Sequence, residues 1–279
     1  MLIKGIIQIP YTMNYLKMNH IEEDILTNSK EKTWTRIDCM WTSPPPALTI
    51  ENGEVHVWCI HLNMPHIQIQ QMETILSDDE LVKANRFHFD KHRRCYIASH
   101  GMLRKILSRY IYLNPSQIQF NYSPLGKPTL AFGGNHVPLS FNLSHSNQLA
   151  LIAVALNRSI GIDIEFMRFN TDLESIAEQY FSPSEYETIK SFSPYQRHSS
   201  IFDLWTLKEA YLKATGEGIG GLDQIEFSLS PYKSPQVIIN KKNSSATSWT
   251  IRQMIPLAGY TAGLAVEGNS SYVFRYYKS

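Results

Sequence analysis

The stretch SFNLSHSNQLALIAVALNRSIGIDIEFM, residues 140–167, decides the fold class. Two apolar runs flank the polar segment SHSNQ (144–148), which predicts a β-hairpin with a short polar loop at its tip. SIGIDIEFM (159–167) predicts a third strand directly after the hairpin. EVHVWCIHL (54–62) alternates β-branched and aromatic residues and predicts another strand.

Helices are predicted between and beside these strands. DKHRRCYIASHGMLRKILSRYI (90–111) carries apolar residues at helical spacing, and WTLKEAYLKATGEGIG (205–220) reads as an amphipathic helix that ends on glycine. Ser77 and Glu80 are spaced as a capping box. Further short strands follow residue 224. This order of elements predicts an α+β fold with antiparallel strands.

Composition excludes several classes of protein. The chain has 279 residues, is 43% hydrophobic and carries a formal charge of +1 from 26 basic and 25 acidic residues, so bulk charge predicts no nucleic-acid partner. Cys39, Cys59 and Cys95 form no CxxC pair, which indicates reduced thiols rather than disulfides or structural zinc. The apolar run near the start is too short for a signal peptide or membrane span. We therefore expect a cytoplasmic protein with no membrane partner.

Residues 1–53 differ from the rest of the chain. They contain the polar segment HIEEDILTNSKEKTW and three consecutive prolines in TSPPPAL, which favour an extended linker. We expect an N-terminal extension of uncertain order. Truncation before Glu51 is expected to leave a folded, active protein.

Acidic residues on one predicted strand indicate a cation site. Asp163 and Glu165 are two residues apart, so in a strand both face the same side. Two carboxylates repel unless a cation lies between them, and Mg²⁺ prefers such oxygen ligands. Glu209 supplies a third carboxylate, and Lys213 lies one helical turn beyond it. The alternative is a surface strand with two acids and an ordinary i,i+4 ion pair on the helix.

Basic and polar residues indicate a ligand with several phosphates. Lysines and arginines crowd residues 83–104, GKP (126–128) places a lysine in a tight turn, and SHS (144–146) offers hydroxyls and a ring nitrogen. Each motif alone has an ordinary structural explanation. No GxGxxG, Walker loop, HExxH or GxSxG motif offers a competing site.

Four motifs in order resemble the surfactin-type 4′-phosphopantetheinyl transferases, a family of monomeric enzymes. They are GKP (126–128), FNLSHS (141–146), GIDIE (161–165) and WTLKEAYLKATGEGI (205–219), preceded by a similar basic segment at 86–107. The resemblance implies a pseudo-dimer of two similar α/β halves with antiparallel sheets and the active site in the cleft between them. The halves would be residues 54–158, on the nucleotide side, and residues 159–279, on the metal and catalytic side.

The resemblance also implies a reaction. The 4′-phosphopantetheine of coenzyme A passes to a serine of an apo acyl or peptidyl carrier protein, and 3′,5′-ADP leaves. The metal, Mg²⁺ or Mn²⁺, would be held by Asp163, Glu165 and Glu209, with Glu209 and Lys213 catalytic. Coenzyme A would contact Lys83, Arg86, Arg93, Arg94, Lys127, Pro128, Ser144, His145, Lys208 and Lys213.

Several alternatives stay open. Glu209 could take the serine proton directly or through a metal-bound water, and either Arg93 or Arg94 could hold the 3′-phosphate. Fatty-acid, polyketide and nonribosomal-peptide carriers all fit. Two rival functions are a non-catalytic module that binds coenzyme A or a nucleotide, and a metal-dependent phosphohydrolase. Incubation with coenzyme A, Mg²⁺ and an apo carrier separates them.

Overall fold

The computed structural model describes residues 34–131, 138–168, 173–230, 233–239, 248–269 and 271–279. The helices are α1 (His66–Glu73), α2 (Asp78–Asn85), α3 (Asp90–Ile111), α4 (Leu173–Tyr180), α5 (Pro183–Lys190) and α6 (Pro194–Thr215). The strands are β1 (Arg36–Asp38), β2 (Glu54–His61), β3 (Phe120–Tyr122), β4 (Pro128–Leu130), β5 (Leu139–Ser146), β6 (Leu149–Leu156), β7 (Ile160–Phe166), β8 (Ile225–Ser228), β9 (Gln236–Ile239), β10 (Trp249–Ile255), β11 (Tyr260–Glu267) and β12 (Val273–Lys278). The mixed fold with antiparallel sheets that the sequence predicts is confirmed.

Local signals in the sequence fix the ends of several helices. The backbone N–H of Ser77 donates to the Glu80 carboxylate at 3.0 Å, which completes the predicted capping box of α2. Helix α6 ends where Gly216 adopts a φ of 77°, a left-handed conformation that suits glycine. Its start lies at Pro194, well before the amphipathic segment that the sequence singles out.

Two four-stranded sheets form the body of the molecule. The N-terminal sheet has the order β12–β2–β6–β5, and the C-terminal sheet has the order β1–β10–β11–β7. Alternate residues of β2 divide between two cores: Trp58 and Ile60 pack with α3, while Val55 and Val57 pack against the C-terminal sheet. Helix α6 covers the other face of the C-terminal sheet. The layers therefore run helix, sheet, sheet, helix.

The terminal strands cross over between the sheets. Strand β1 pairs parallel to β10 in the C-terminal sheet, and β12 pairs parallel to β2 in the N-terminal sheet. The segment after β1 contacts β12, because the N–H of Thr42 donates to the Tyr276 carbonyl at 3.0 Å. These two pairings are parallel, unlike the antiparallel pairing expected throughout. The segment 159–279 is thus not a self-contained half.

The described part of the predicted extension also differs from a loose linker. Trp34 and Leu48 are buried, and the carbonyl of Pro45 accepts a hydrogen bond from Arg109 at 2.6 Å. Residues 34–53 are therefore part of the packed molecule, while residues 1–33 lie outside the described residues. Within the described ranges, no helix combines the length and apolar character needed to cross a membrane.

Candidate active site

Helix α6 lies directly against the C-terminal sheet because two glycines leave room for it. A Cβ atom on Gly161 would fall 2.0 Å from the Ala210 carbonyl oxygen, and one on Gly263 would fall 2.4 Å from that of Thr206. The helix backbone therefore occupies the space where side chains of β7 and β11 would otherwise stand. This close approach brings Lys213 of α6 to the carboxylates of β7.

The two carboxylates of β7 face α6, as their spacing predicts. The side chains of Ile162 and Ile164 point the other way, into the core between the sheets. Lys213 Nζ lies 2.5 Å from Asp163 Oδ1 and 3.0 Å from Ser144 Oγ, so the ammonium joins α6 to both β7 and β5. Lys213 therefore contacts the acidic strand directly.

Lys213 is held in its charged form. Burial disfavours the ammonium, yet the pKa of Lys213 is raised above its usual value. The charges that raise it belong to Asp163, Glu209 and Glu165, in that order. The three predicted metal ligands therefore all act on this one side chain, and Lys213 is cationic at neutral pH.

The carboxylates partly fit a divalent cation. Asp163 is buried, and its Oδ2 atom has no hydrogen-bond partner among the described residues, which leaves one oxygen available to a cation. Carboxylate oxygens are ligands that Mg²⁺ prefers. However, the described part of the chain contains no group of three or more His, Cys, Asp or Glu side chains arranged to hold a metal ion. The three carboxylates Asp163, Glu165 and Glu209 are thus arranged around the Lys213 ammonium rather than around a shared metal position.

Side chains of β5 join the two sheets at their edges. Strands β5 and β7 are edge strands of different sheets, and Asn142 Oδ1 accepts from the Ile162 N–H at 2.8 Å. Ser144 Oγ donates to Asp163 Oδ1 at 2.8 Å, and Ser146 Oγ donates to a Glu165 carboxylate oxygen at 2.7 Å. We call this set of contacts the β5–β7 junction.

The structure changes the placement of the SHS motif. Ser144, His145 and Ser146 lie within β5 rather than at the hairpin tip, because the turn consists of residues 147–148 with Asn147 at a φ of 48°. Alternation along the strand puts His145 on the face opposite Ser144. Phe141 on that same face packs with the core that contains α3, so His145 is directed to the side of the basic residues.

The two adjacent arginines of α3 have different surroundings. Arg93 forms an ion pair with Glu73 and donates to the side-chain oxygen of Asn85 at 3.2 Å. Arg94 donates to the Met64 carbonyl at 2.8 Å. Arg94 also lines a cavity of about 300 Å³, whose other lining residues are Leu62, Asn63, Asp90, Lys91, Cys95 and Gln148. Only Arg94 of the two lines this cavity.

The other predicted basic residues lie on α2 and on the β3–β4 turn. Arg86 is exposed at the end of α2, and Lys83 lies 4.3 Å from the centre of the Tyr122 ring. Lys127 Nζ donates to the Ala214 carbonyl at 2.6 Å, near the end of α6, and burial lowers the pKa of Lys127 to about 8. Pro128 begins β4. The GKP turn therefore contacts the helix that carries Lys213.

Lys208 lies away from the other predicted residues. It is completely buried, with Nζ 2.8 Å from Glu185 and 2.8 Å from the Ile225 carbonyl. Five residues along a helix correspond to a rotation of about 140°, so Lys208 and Lys213 leave α6 on different sides. The expectation that Lys208 lies beside Lys213 at a diphosphate is wrong, and the structure gives it an internal ion pair instead.

Sequence reasoning missed Gly161, Asn142 and Ser146. The polar residues of β5 recur at every second position, in an otherwise apolar hairpin, and this period-two pattern was a signal that they share one face. Their partners on β7 could not be inferred, because that contact depends on how the two sheets meet.

Comparisons with known proteins agree with the motif order. Residues 65–157 match the family described as "4′-phosphopantetheinyl transferase, N-terminal", and residues 159–265 match the "4′-phosphopantetheinyl transferase superfamily". The 4′-phosphopantetheinyl transferase HetI of Nostoc sp. is 43% identical over 228 residues, which cover 82% of this chain and 94% of that protein. The 4′-phosphopantetheinyl transferase psf-1 of Bacillus pumilus is 34% identical over 165 residues, covering 58% and 68%. The human L-aminoadipate-semialdehyde dehydrogenase-phosphopantetheinyl transferase is 30% identical over 165 residues, covering 56% and 53%.

Proposed function

The chain belongs to the 4′-phosphopantetheinyl transferase superfamily, whose members transfer phosphopantetheine from coenzyme A to carrier proteins, and we propose that it does so at the β5–β7 junction with the help of Mg²⁺. One observation supports placing the reaction at this junction. The cationic Lys213 lies within 3.0 Å of groups on β5 and β7, under the influence of three carboxylates. Coenzyme A would lie in a cleft beside this junction, between two pseudo-symmetric halves.

Coenzyme A binding is proposed for residues on the N-terminal side. Arg94 and Lys91 line the cavity at the start of α3, and a guanidinium suits a phosphate dianion. We therefore assign the 3′-phosphate to Arg94 rather than Arg93, whose charge is already paired with Glu73. Arg86 and Lys83 would add positive charge at the rim, and the turn at Lys127 and Pro128 would face the adenine.

Ser144 fits a different role from direct phosphate binding. A serine hydroxyl has one proton to donate, and that of Ser144 goes to Asp163. Phosphate oxygens accept hydrogen bonds, so Ser144 cannot serve one without releasing the carboxylate. We assign the nucleotide-phosphate contact to His145 and give Ser144 the role of holding Asp163 and Lys213.

The reaction forms one P–O bond and breaks another. The carrier serine oxygen attacks the β-phosphorus of coenzyme A, its proton passes to a base, and the bridging oxygen leaves with 3′,5′-ADP. Lys213, protonated at neutral pH, would stabilise charge on the leaving phosphate. Glu209 would accept the serine proton, by direct contact or through water. Mg²⁺, when bound to Asp163, Glu165 and Glu209, would supply further neutralisation of the diphosphate.

Intact-protein mass spectrometry tests the function. The protein, coenzyme A and Mg²⁺ are incubated with apo fatty-acid, polyketide and nonribosomal-peptide carriers, and at least one carrier is expected to gain the mass of one phosphopantetheine. A carrier whose acceptor serine is replaced by alanine is the matched control and should gain nothing. Glu209→Gln keeps the shape but removes charge and basicity, so it should slow transfer more than it weakens coenzyme A binding.

The outcomes separate the rival functions. A protein that binds coenzyme A but modifies none of the carriers is a binding module. A protein that consumes coenzyme A with no carrier present is a phosphohydrolase. Either result would overturn the proposed transfer.

A further inference from the structure

Ser146 makes a direct contact with the acidic strand that its place in the SHS motif does not predict. Its side chain is buried, at 8% exposure, although it lies at the end of an edge strand. Its hydroxyl donates to Glu165 Oε2 at 2.7 Å and accepts from the Phe166 N–H at 3.1 Å. The hydroxyl is therefore fixed from two directions, one of them a backbone group.

This arrangement settles the direction of the serine proton. A hydroxyl carries one donor, and an N–H can only donate. Because the Phe166 N–H points at the oxygen of Ser146, the hydroxyl proton is directed to the Glu165 carboxylate. The backbone of β7 thus orients Ser146, and Ser146 in turn orients one oxygen of Glu165.

The contact is one of two hydroxyl–carboxylate contacts between β5 and β7. Ser144 and Ser146 are two residues apart on β5, and Asp163 and Glu165 are two residues apart on β7, so each hydroxyl meets one carboxylate. The pairs run in the same order along both strands, which makes β5 and β7 parallel neighbours linked by side chains rather than by a backbone ladder. The N-terminal sheet thereby sets the orientation of carboxylates on the C-terminal sheet.

We propose that Ser146 is a positioning residue for Glu165, holding its carboxylate in the orientation that receives a divalent cation. The inference rests on the proposed function, since it assigns the cation to the same carboxylates. Groups that hold metal-binding carboxylates by hydrogen bonds typically contribute ten- to a hundredfold to metal affinity. Ser146 touches neither coenzyme A nor the reacting atoms in this assignment, so its effect acts through Glu165.

Binding of Mn²⁺, measured by electron paramagnetic resonance with coenzyme A present, tests the proposal without requiring turnover. Ser146→Ala is expected to raise the Mn²⁺ dissociation constant about tenfold or more. The Mg²⁺ concentration for half-maximal transfer should shift in parallel. The affinity for coenzyme A in the absence of metal should stay unchanged, which a general loss of structure would not produce. Ser146→Thr keeps the hydroxyl and should restore the metal affinity.

Ser140 provides a matched control on the same strand. It lies at the other end of β5 on the same face and is partly buried, and its hydroxyl contacts no carboxylate of the residues that the structure describes. Ser140→Ala should bind Mn²⁺ as the unchanged protein does. If Ser146→Ala does not fold, Ser146→Cys makes the same test with a weaker S–H donor.

Three results would overturn the inference. These are a folded Ser146→Ala protein with unchanged Mn²⁺ affinity, an equal shift in Ser140→Ala, or no Mn²⁺ binding by the unchanged protein with coenzyme A. Failure of the proposed function looks different, because the unchanged protein would then bind Mn²⁺ but transfer nothing to any carrier. In that case the Mn²⁺ measurement would still decide the role of Ser146.

Discussion

At the scale of single residues, the junction combines opposite charges that stabilise one another. Lys213 is partly buried and Asp163 is almost completely buried, so each charge compensates for the desolvation of the other. Among the described residues, Oδ2 of Asp163 has no hydrogen-bond partner, so this part of the carboxylate is left uncompensated. A cation bound with the diphosphate would compensate this oxygen.

The surroundings of the two adjacent arginines give a residue-scale prediction. Arg94→Met is expected to remove a charge-assisted contact of roughly 1.5–3 kcal/mol, which corresponds to about ten- to a hundredfold in coenzyme A affinity. The loss should be confined to the 3′-phosphate, so the variant should bind coenzyme A and 3′-dephospho-coenzyme A equally. Isothermal titration calorimetry with both ligands measures this.

Arg93→Met is the matched control for this prediction. Its guanidinium is engaged by Glu73 and Asn85, so the variant should keep the preference for the 3′-phosphate. If Arg93→Met loses the preference and Arg94→Met keeps it, the assignment of the 3′-phosphate to the cavity at Arg94 is wrong.

The sequence predicted some of these residues for clear physical reasons. The two-residue spacing of Asp163 and Glu165 fixed a common face, because the period of a strand is two. The sequence could not decide which of Arg93 and Arg94 holds the 3′-phosphate. The two side chains leave the helix in different directions, and only the positions of α1 and of the β5–β6 turn show which one lines the cavity. Burial of Lys208 also depends on a distant partner, Glu185.

At the scale of secondary-structure elements, α6 is the element on which the site depends. Its close approach to the sheet depends on glycines of β7 and β11, where a Cβ atom would clash with the helix backbone. The sequence predicted the core of this helix and its glycine end from amphipathic spacing. It could not predict that Gly161 is a contact point, because the contact depends on how α6 packs against a strand about fifty residues earlier in the chain.

Gly161→Ala gives the element-scale prediction. The new Cβ atom would meet backbone atoms of Ala210 and Ala214, neither of which can rotate away, so α6 must shift. Overpacking of this kind costs typically 1–3 kcal/mol or more. We expect a lower Tm and a large loss of transfer rate, because the distance between Lys213 and Asp163 changes with the helix.

Gly220→Ala is the control for this change. A Cβ atom at Gly220 meets nothing within 4 Å, and its backbone does not need a positive φ. Thermal unfolding and transfer kinetics of this variant should match those of the unchanged protein. A Gly161→Ala protein with unchanged Tm and transfer rate would show that close packing of α6 does not set the site.

At the scale of the whole molecule, the chain ends tie the two sheets together. Strand β1 extends the C-terminal sheet and β12 extends the N-terminal sheet, so neither sheet is completed by its own segment of chain. Composition suggested a loose extension up to residue 53, because prolines and polar residues dominate it. A three-residue parallel strand has too weak a local pattern to be predicted, and its partner strand lies more than 200 residues away.

Arg36 on β1 gives the prediction at this scale. Its Nε donates to Asp203 at 2.7 Å, and Asp203 is buried near the middle of α6 with a further hydrogen bond from Thr261. Arg36→Ala leaves that carboxylate without its cation, a change that typically costs 3–5 kcal/mol in a buried pair. Because the Arg36 side chain is 24% exposed, we expect a loss of about 3 kcal/mol in the free energy of unfolding, measured by urea denaturation.

Removal of residues 1–50 should destabilise the protein further, since it deletes Trp34 and Leu48 from the cores together with Arg36. Arg275→Ala is the control, because the Arg275 side chain is about half exposed and its pair with Glu54 should contribute little to the free energy of unfolding. If the truncated protein unfolds at the same urea concentration as the full chain, β1 does not support the fold. The N-terminal segment would then be the dispensable extension that its composition suggests, and α6 would hold its position without β1.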